Sequence, residues 1–171
     1  MGGATVEGLV KANFLKSEDI TVSDPSQHVL GKFSQLGVSV TTDNAVAALG
    51  ADVVCVCVKP WLVERVLNSI QQSLDPQRQL LVVIAAGVSS QSIKGWLGAQ
   101  CPPLFLVIPN IAIAQLASMT FVVPVGTTEA QTQLIIDLFD RMGHTLLTDE
   151  QHLPSGTTLA SCGIRSEEHT S

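Results

Sequence analysis

Four places along the chain hold residues suited to gripping a phosphorylated ligand. Gly2 and Gly3 stand at the start of a short apolar helix. Asp24 follows a brief strand, Lys59 ends a longer apolar run, and Asn110 is flanked by Pro109 and Ile111. Glycines at a helix start let backbone N–H groups approach a pyrophosphate, which the positive end of the helix favours. An acidic residue about 20 residues further on is placed for ribose hydroxyls. Each position has a plainer reading. Gly2 and Gly3 supply only the last glycine of a G-x-G-x-x-G fingerprint, whose preceding strand and earlier glycines are not in the sequence. Asp24-Pro25 is equally a turn, Lys59 a solvated cation, and Asn110 a turn-stabilising amide. The chain shows no Ser-His-Asp or Cys-His arrangement, no paired carboxylates and no metal-ligand spacing. Hydride transfer needs none of these, because a cofactor supplies the reactivity and the protein supplies position.

The elements that would position these residues follow from apolar periodicity. Val53 to Val58 is a continuous apolar run ended by Lys59-Pro60, as expected of a central parallel strand covered on both faces. Its carboxyl end, Cys57, Val58, Lys59 and Pro60, lies where open α/β sheets bind ligands. Ala4, Val6, Leu9 and Val10 form a helical stripe ending near Asn13, and a strand spans Ile20 to Ser23. A helix runs from Ser26 to Leu36 with Val29, Leu30, Phe33 and Leu36 on one face, stopped by Gly37. Val38 to Thr41 is a strand, and Asp43 caps a helix from Asn44 to Leu49. After Pro60, Leu62, Val66 and Ile70 mark an amphipathic helix. Leu80 to Ile84 is a buried strand ending in Ala85-Ala86-Gly87, small enough for a ligand to approach the backbone. A helix capped by Ser89 or Ser90 buries Ile93, Trp96 and Leu97. Leu104 to Ile108 and Met119 to Val123 are strands around a turn. Thr128 and Gln131 have capping-box spacing, with Leu134, Ile135, Leu138 and Met142 facing inward, before a last strand from His144 to Leu147. This alternation implies a doubly wound parallel sheet.

Composition narrows the class. The 171 residues are 46% hydrophobic and 14% charged with a net charge of −6, which suits a covered parallel sheet and gives no basic footprint for nucleic acid. Cys55, Cys57, Cys101 and Cys162 lack metal or disulfide spacing and read as buried free thiols of a reducing compartment. No secretory or transit leader is visible, and the uncharged stretch from Leu104 to Thr128 is broken by prolines and polar residues, so no membrane span is expected.

The segments SDPS, TTDNA, ADVVCVCVKPW, VVIAAGVS, LFLVIPN and TLASCGI, in order and at matching spacing from Met1 to Ile164, resemble the amino-terminal domain of pyrroline-5-carboxylate reductase. The resemblance implies an α/β, Rossmann-like doubly wound parallel sheet lacking its first strand, over 1–150. It also implies the start of a helical carboxyl-terminal domain over 151–164. RSEEHTS, 165–171, reads as a translated sequencing-adapter sequence and is set aside. The implied activity is NAD(P)H-dependent reduction of 1-pyrroline-5-carboxylate to L-proline, with NADP as cofactor and NAD open. Cytoplasmic localisation and homo-oligomers formed through the helical domain, with no nucleic-acid or membrane partner, are also implied. Position by position, it places Gly2, Ser23, Asp24, Asn44, Cys57, Val58, Lys59, Pro60, Ala85, Ala86 and Asn110 around the cofactor. Ile111 stands where the family usually has threonine. The loss of a mid-sheet strand leads us to expect this chain alone to be unstable and inactive. Other imine or β-hydroxyacid reductases, or a non-catalytic NAD(P)-binding module, are the competing readings.

Overall fold

The computed structural model describes residues 1–153. The expected helical domain beyond Leu153, the TLASCGI segment with Cys162, and the 165–171 tail lie outside the described residues.

Helix α1 (Gly2–Ala12) ends at Asn13, which takes the left-handed conformation. Strand β1 (Thr21–Ser23), helix α2 (Gln27–Ser34), strand β2 (Ser39–Thr41) and helix α3 (Asn44–Ala48) follow. Then come β3 (Val53–Val56), a 3-10 turn (Pro60–Leu62), α4 (Val63–Ile70), β4 (Leu80–Val83) and α5 (Ser90–Leu97). The described chain closes with β5 (Leu104–Ile108), a 3-10 turn (Ile111–Gln115), β6 (Ser118–Val125), α6 (Glu129–Asp140) and β7 (Gly143–Leu147). Side chains cap α2, α3, α5 and α6. Ser26 Oγ accepts from Val29 N–H, Asp43 caps α3, Ser89 Oγ accepts from Ser92 N–H, and Thr128 and Gln131 complete a capping box on α6.

The α/β expectation holds, with two corrections. The strands fall into two sheets, β1-β2 and β3-β4-β5-β6-β7, so β3 is an edge strand and not a central one. It buries Val54 and Val56 and half-buries Val53 and Cys57, while Cys55 is exposed, against the expectation of a buried thiol. Second, β6 runs antiparallel to β5, with Leu106 opposite Val123. A parallel return needs a crossover of a dozen or more residues, and the short connection 109–117 allows only a reversal. The other pairings are parallel.

Helix faces shift by a residue where tertiary packing decides. In α4 the buried set is Val63, Leu67 and Ile70, with Leu62 and Val66 half-buried. In α6 Ile135 and Phe139 are buried, as is Met142 just past its end, and Leu134 is exposed; Leu36 also faces out, beyond the end of α2. One core, including Val54, Leu67, Leu81, Ile93 and Leu106, lies under α4 and α5. The other, including Val82, Phe105, Val122, Ile135 and Met142, lies under α1 and α6. A smaller cluster of Ile20, Phe33 and Val38 packs on Val6, Leu9 and Val10 of α1, so Leu9 belongs to two clusters.

Backbone clearance fixes where α1 sits. A Cβ on Gly8 would lie 2.5 Å from the carbonyl oxygen of Ile113, whereas one on Gly31, within α2, would meet nothing within 4 Å. Gly8→Ala is therefore expected to cost about 1–3 kcal/mol through forced backbone displacement, and Gly31→Ala to gain about 0.5–1 kcal/mol of helix propensity. Urea midpoints of the two variants, moving in opposite directions, check this. Burial pushes the thiols of Cys57 and Cys101 up, against a weaker opposite pull from the Met1 ammonium and from Lys94 respectively. A folded pKa above the unfolded value means stability is intact below the ordinary thiol pKa of about 8.5 and is lost as pH rises beyond it. The urea midpoint should fall between about pH 8 and 10, and the fall should flatten in Cys57→Val with Cys101→Val; an equally steep fall in that double variant would exclude these two thiols as its cause.

Candidate functional site

Every candidate residue lies at a strand's carboxyl end or at the start of a helix facing it. Ser23 closes β1 and Asp24 follows it. Cys57 to Pro60 follow β3, Ala85 and Ala86 follow β4, and Asn110 follows β5. Parallel strands bring such ends to one rim, the edge of an open α/β sheet at which ligands sit.

Two direct contacts knit parts of this rim together. The Ser23 hydroxyl donates to Asn44 Oδ1 at 2.7 Å, joining the end of β1 to the first residue of α3. Gly2 lies against Cys57: a Cβ there would sit 3.4 Å from the Cys57 carbonyl oxygen and 3.5 Å from its sulfur. The start of α1 thus stands beside the end of β3. No acidic side chain occupies its first turn and no side chain caps it. Ser23 ends a strand of one sheet, whereas the Cys57 and Ala85 segments follow strands of the other.

Asp24 Oδ1 accepts from Ser26 N–H at 2.8 Å, so one carboxylate oxygen holds the turn into α2. Lys59 is exposed and precedes the 3-10 turn in which Pro60 takes the first position. Cys57 and Val58 are half-buried, Ala85 is half-buried and Ala86 exposed. Gly87, with φ of 78°, turns the chain away after them in a conformation that favours glycine. Asn110 is buried; its Oδ1 accepts from Ala112 N–H at 3.1 Å and its N–H donates to Ser118 Oγ at 3.3 Å. Ser118 in turn shares a 2.9 Å hydrogen bond with Thr120, while Ile111 is left exposed. Of the cations near the glycines in sequence, Lys11 donates to Gln115 at the far end of α1, and Lys32 lies in the last turn of α2.

Several supporting residues escaped sequence reasoning. Gly8 was one of many glycines until Ile113 was seen against it. Buried Gln79 donates to the carbonyls of Ala48 and Ala51 and accepts from Asp75 N–H, clamping the chain that enters β3 to the turn before β4. Glu150 accepts from both the N–H and the hydroxyl of Ser90, tying the segment after β7 to the start of α5. Apart from Asp75, each partner lies more than 25 positions away, and no local pattern announces it. Two cavities, of about 430 Å³ beside Pro124 and Leu147 and about 190 Å³ beside Leu49 and Gln79, open at the opposite end of the strands from the candidate rim. Among the described residues there is no cluster able to hold a metal ion and no helix long and apolar enough to cross a membrane.

Known proteins share this arrangement. The pyrroline-5-carboxylate reductase of Corynebacterium melassecola is 30% identical over 164 residues, covering 94% of this chain and 60% of that protein. The structure of a pyrroline-5-carboxylate reductase from Coxiella burnetii superposes with a TM-score of 0.88 at 26% identity, over 95% of this chain and 61% of that one. A pyrroline carboxylate reductase of Plasmodium falciparum, solved with NADP bound, has the same fold, with a TM-score of 0.85 at 21% identity over 98% of this chain and 61% of that one. The chain thus spans about three fifths of the length of these proteins. The family described as NADP oxidoreductase, coenzyme F420-dependent, matches residues 1–87. That match runs from the helix start against Cys57 to the glycine that ends the β4 loop, and on it the chain belongs to this oxidoreductase family.

Proposed function

We propose that this chain is the cofactor-holding part of a pyrroline-5-carboxylate reductase, which reduces 1-pyrroline-5-carboxylate to L-proline at the expense of NADPH. The observation that carries the reading is likeness over nearly the whole chain, in both sequence and structure, to proteins of that name. The NADP-bound relative and the family description favour NADP over NAD. The likeness in fold alone would not choose among reductases, since a 3-hydroxyisobutyrate dehydrogenase and a prephenate dehydrogenase share it, each with a TM-score of 0.70.

The residues at the rim fit a dinucleotide. When bound, NADPH supplies the hydride. Ser23, by donating to Asn44 Oδ1, fixes that amide so that its NH₂ edge is offered to an adenosine ribose or phosphate oxygen. Asp24 keeps one carboxylate oxygen on Ser26 N–H and offers the other to a ribose hydroxyl. The start of α1, held beside Cys57 at Gly2, presents backbone N–H groups and a positive helix end to the pyrophosphate. Cys57, Val58 and Pro60 form the wall of the cleft, with the Lys59 ammonium above them. Ala85 and Ala86 leave room for the nicotinamide end. Asn110 serves by holding the 109–117 turn against Ser118. Substrate contacts and the homo-oligomer belong to the longer protein's helical domain, and the free thiols suit a reducing cytoplasm.

Expression of the complete reading frame containing this segment should give a protein that oxidises NADPH only when 1-pyrroline-5-carboxylate is present, with proline as product. No turnover would end the proposal. In that protein Asn44→Ala should raise KM for NADPH about five- to tenfold, the worth of one hydrogen bond of about 1–1.5 kcal/mol, with kcat within about twofold because the residue is remote from the reacting carbon. A loss confined to kcat would place Asn44 elsewhere.

A further inference from the structure

Helix α5 is capped twice, and the second cap comes from far along the chain. Ser89 Oγ accepts from Ser92 N–H, as an ordinary cap does from within its own first turn. Glu150 then commits both of its oxygens. Oε1 accepts from Ser90 N–H at 2.8 Å and Oε2 from the Ser90 hydroxyl at 2.6 Å, across 60 positions of sequence. A carboxylate at a helix start also meets the positive end of the helix. Arriving from so far away, it does what the local cap cannot. It fixes where α5 begins relative to the segment that leaves β7.

That beginning closes the loop carrying Ala85 and Ala86. The loop is tethered at its other end by Ile84, whose N–H donates to the Val56 carbonyl at 2.8 Å and whose side chain is buried. Between the tethers Gly87 turns the chain with φ of 78°, and Val88 packs on the core under α4 and α5. The segment that delivers Glu150 is folded on its own account. His152 N–H donates to Asp149 Oδ1 at 3.0 Å and to the Asp149 carbonyl at 3.2 Å, which closes a turn, and Leu153 packs on the same core. Glu150 therefore reaches Ser90 from a fixed base.

We propose that Glu150 is a positioning residue for hydride transfer, which by gripping Ser90 holds the β4-α5 loop so that Ala85 and Ala86 seat the nicotinamide ring. It acts through Ser90 and touches neither cofactor nor substrate. The inference rests on the reading of Ala85 and Ala86 as the nicotinamide end. On that reading the adenosine and pyrophosphate are gripped elsewhere, at Ser23, Asn44 and the start of α1, so a loop freed at Ser90 would still admit the dinucleotide. It would lose the placement of the ring, and a small misplacement at the reacting atoms costs far more in rate than in binding.

The test uses the protein expressed from the complete reading frame, as wild type, Glu150→Ala, Glu150→Gln and Thr128→Ala. The last removes a cap from α6, on the opposite face of the sheet from α5, and so matches the loss of a capping contact without disturbing Ser90. Glu150→Ala should slow single-turnover oxidation of NADPH by 1-pyrroline-5-carboxylate at least about tenfold, with Kd for 2′,5′-ADP, which has no nicotinamide, within about twofold. It should also shrink the change in nicotinamide fluorescence on binding NADPH. Glu150→Gln keeps an oxygen for Ser90 N–H and should recover the rate to within about threefold of wild type. Thr128→Ala should lower the urea midpoint as Glu150→Ala does, and leave rate and fluorescence at their wild-type values. Wild-type rate and fluorescence in Glu150→Ala would overturn the proposal. So would a matching loss of 2′,5′-ADP affinity, or equal slowing in Thr128→Ala, each the mark of a general loosening. The fluorescence comparison needs no substrate, so it decides this proposal even where absent turnover has ended the reductase reading. A wild-type protein that binds no NADPH would end both.

Discussion

The arrangement depends on how closely α1 approaches its neighbours. Helices that pack through side chains keep axes about 8–10 Å apart. At Gly8 the helix backbone comes so near the 111–115 turn that a single added carbon would meet the Ile113 carbonyl at 2.5 Å. Gly2 allows a similar, less extreme approach to Cys57. These two points, one at each half of the helix, set its position over the sheet and bring its start to the rim. Because Leu9, next to Gly8, reaches the clusters of both sheets, the same helix is also what keeps β1-β2 aligned with β3 through β7. The sheet is interrupted between β1 and β3, so this alignment rests on helix packing where a continuous ladder would ordinarily enforce it.

The rim is held by polar groups that the core cannot provide. Asn110 and Ser118 anchor the turn against which α1 rests, and Thr120 extends the pair into a fully buried chain of hydroxyls. Buried polar groups are costly unless paired, so such a chain is retained where it fixes a geometry that apolar packing leaves loose. Gln79 does the same at the other end of the strands. The sheet register is thus pinned at both ends, and the segments that follow β3 and β4 emerge from fixed points.

Local signals made much of this legible in the sequence. Capping residues Ser26, Asp43, Ser89 and Thr128 mark helix starts within a residue, because the hydrogen bonds they make are local. The continuous apolar run at Val53 identified a strand but not its neighbours, since β-branched residues suit any covered strand whatever lies beside it. Hence β3 read as central although it is an edge here, and Cys55 read as buried although it is exposed. The antiparallel turn of β6 was implicit in the short 109–117 connection, yet alternation of helix and strand alone suggested a parallel sheet. Site residues at strand ends were accessible to reasoning because position along a strand is local information. Gly8, Gln79 and Glu150 were not, because their partners are distant in sequence.

One consequence concerns how binding and folding are joined. The contacts that fix α1 are the same ones that carry its first N–H groups to the rim. Anything that settles α1 more firmly on Cys57 and Ile113 would therefore improve the proposed anion site as well. Conversely, a ligand anchored on the start of α1 and on Ser23 and Asn44 would span the interruption in the sheet, contributing restraint where the ladder gives none. Ligand binding to the folded state alone stabilises it by an amount that grows with ligand concentration. For this chain that stabilisation would act on the joint between the two sheets, across which no strands pair among the described residues, so the joint should gain more from a bound dinucleotide than the five-stranded sheet, whose neighbouring strands are already joined by ladders.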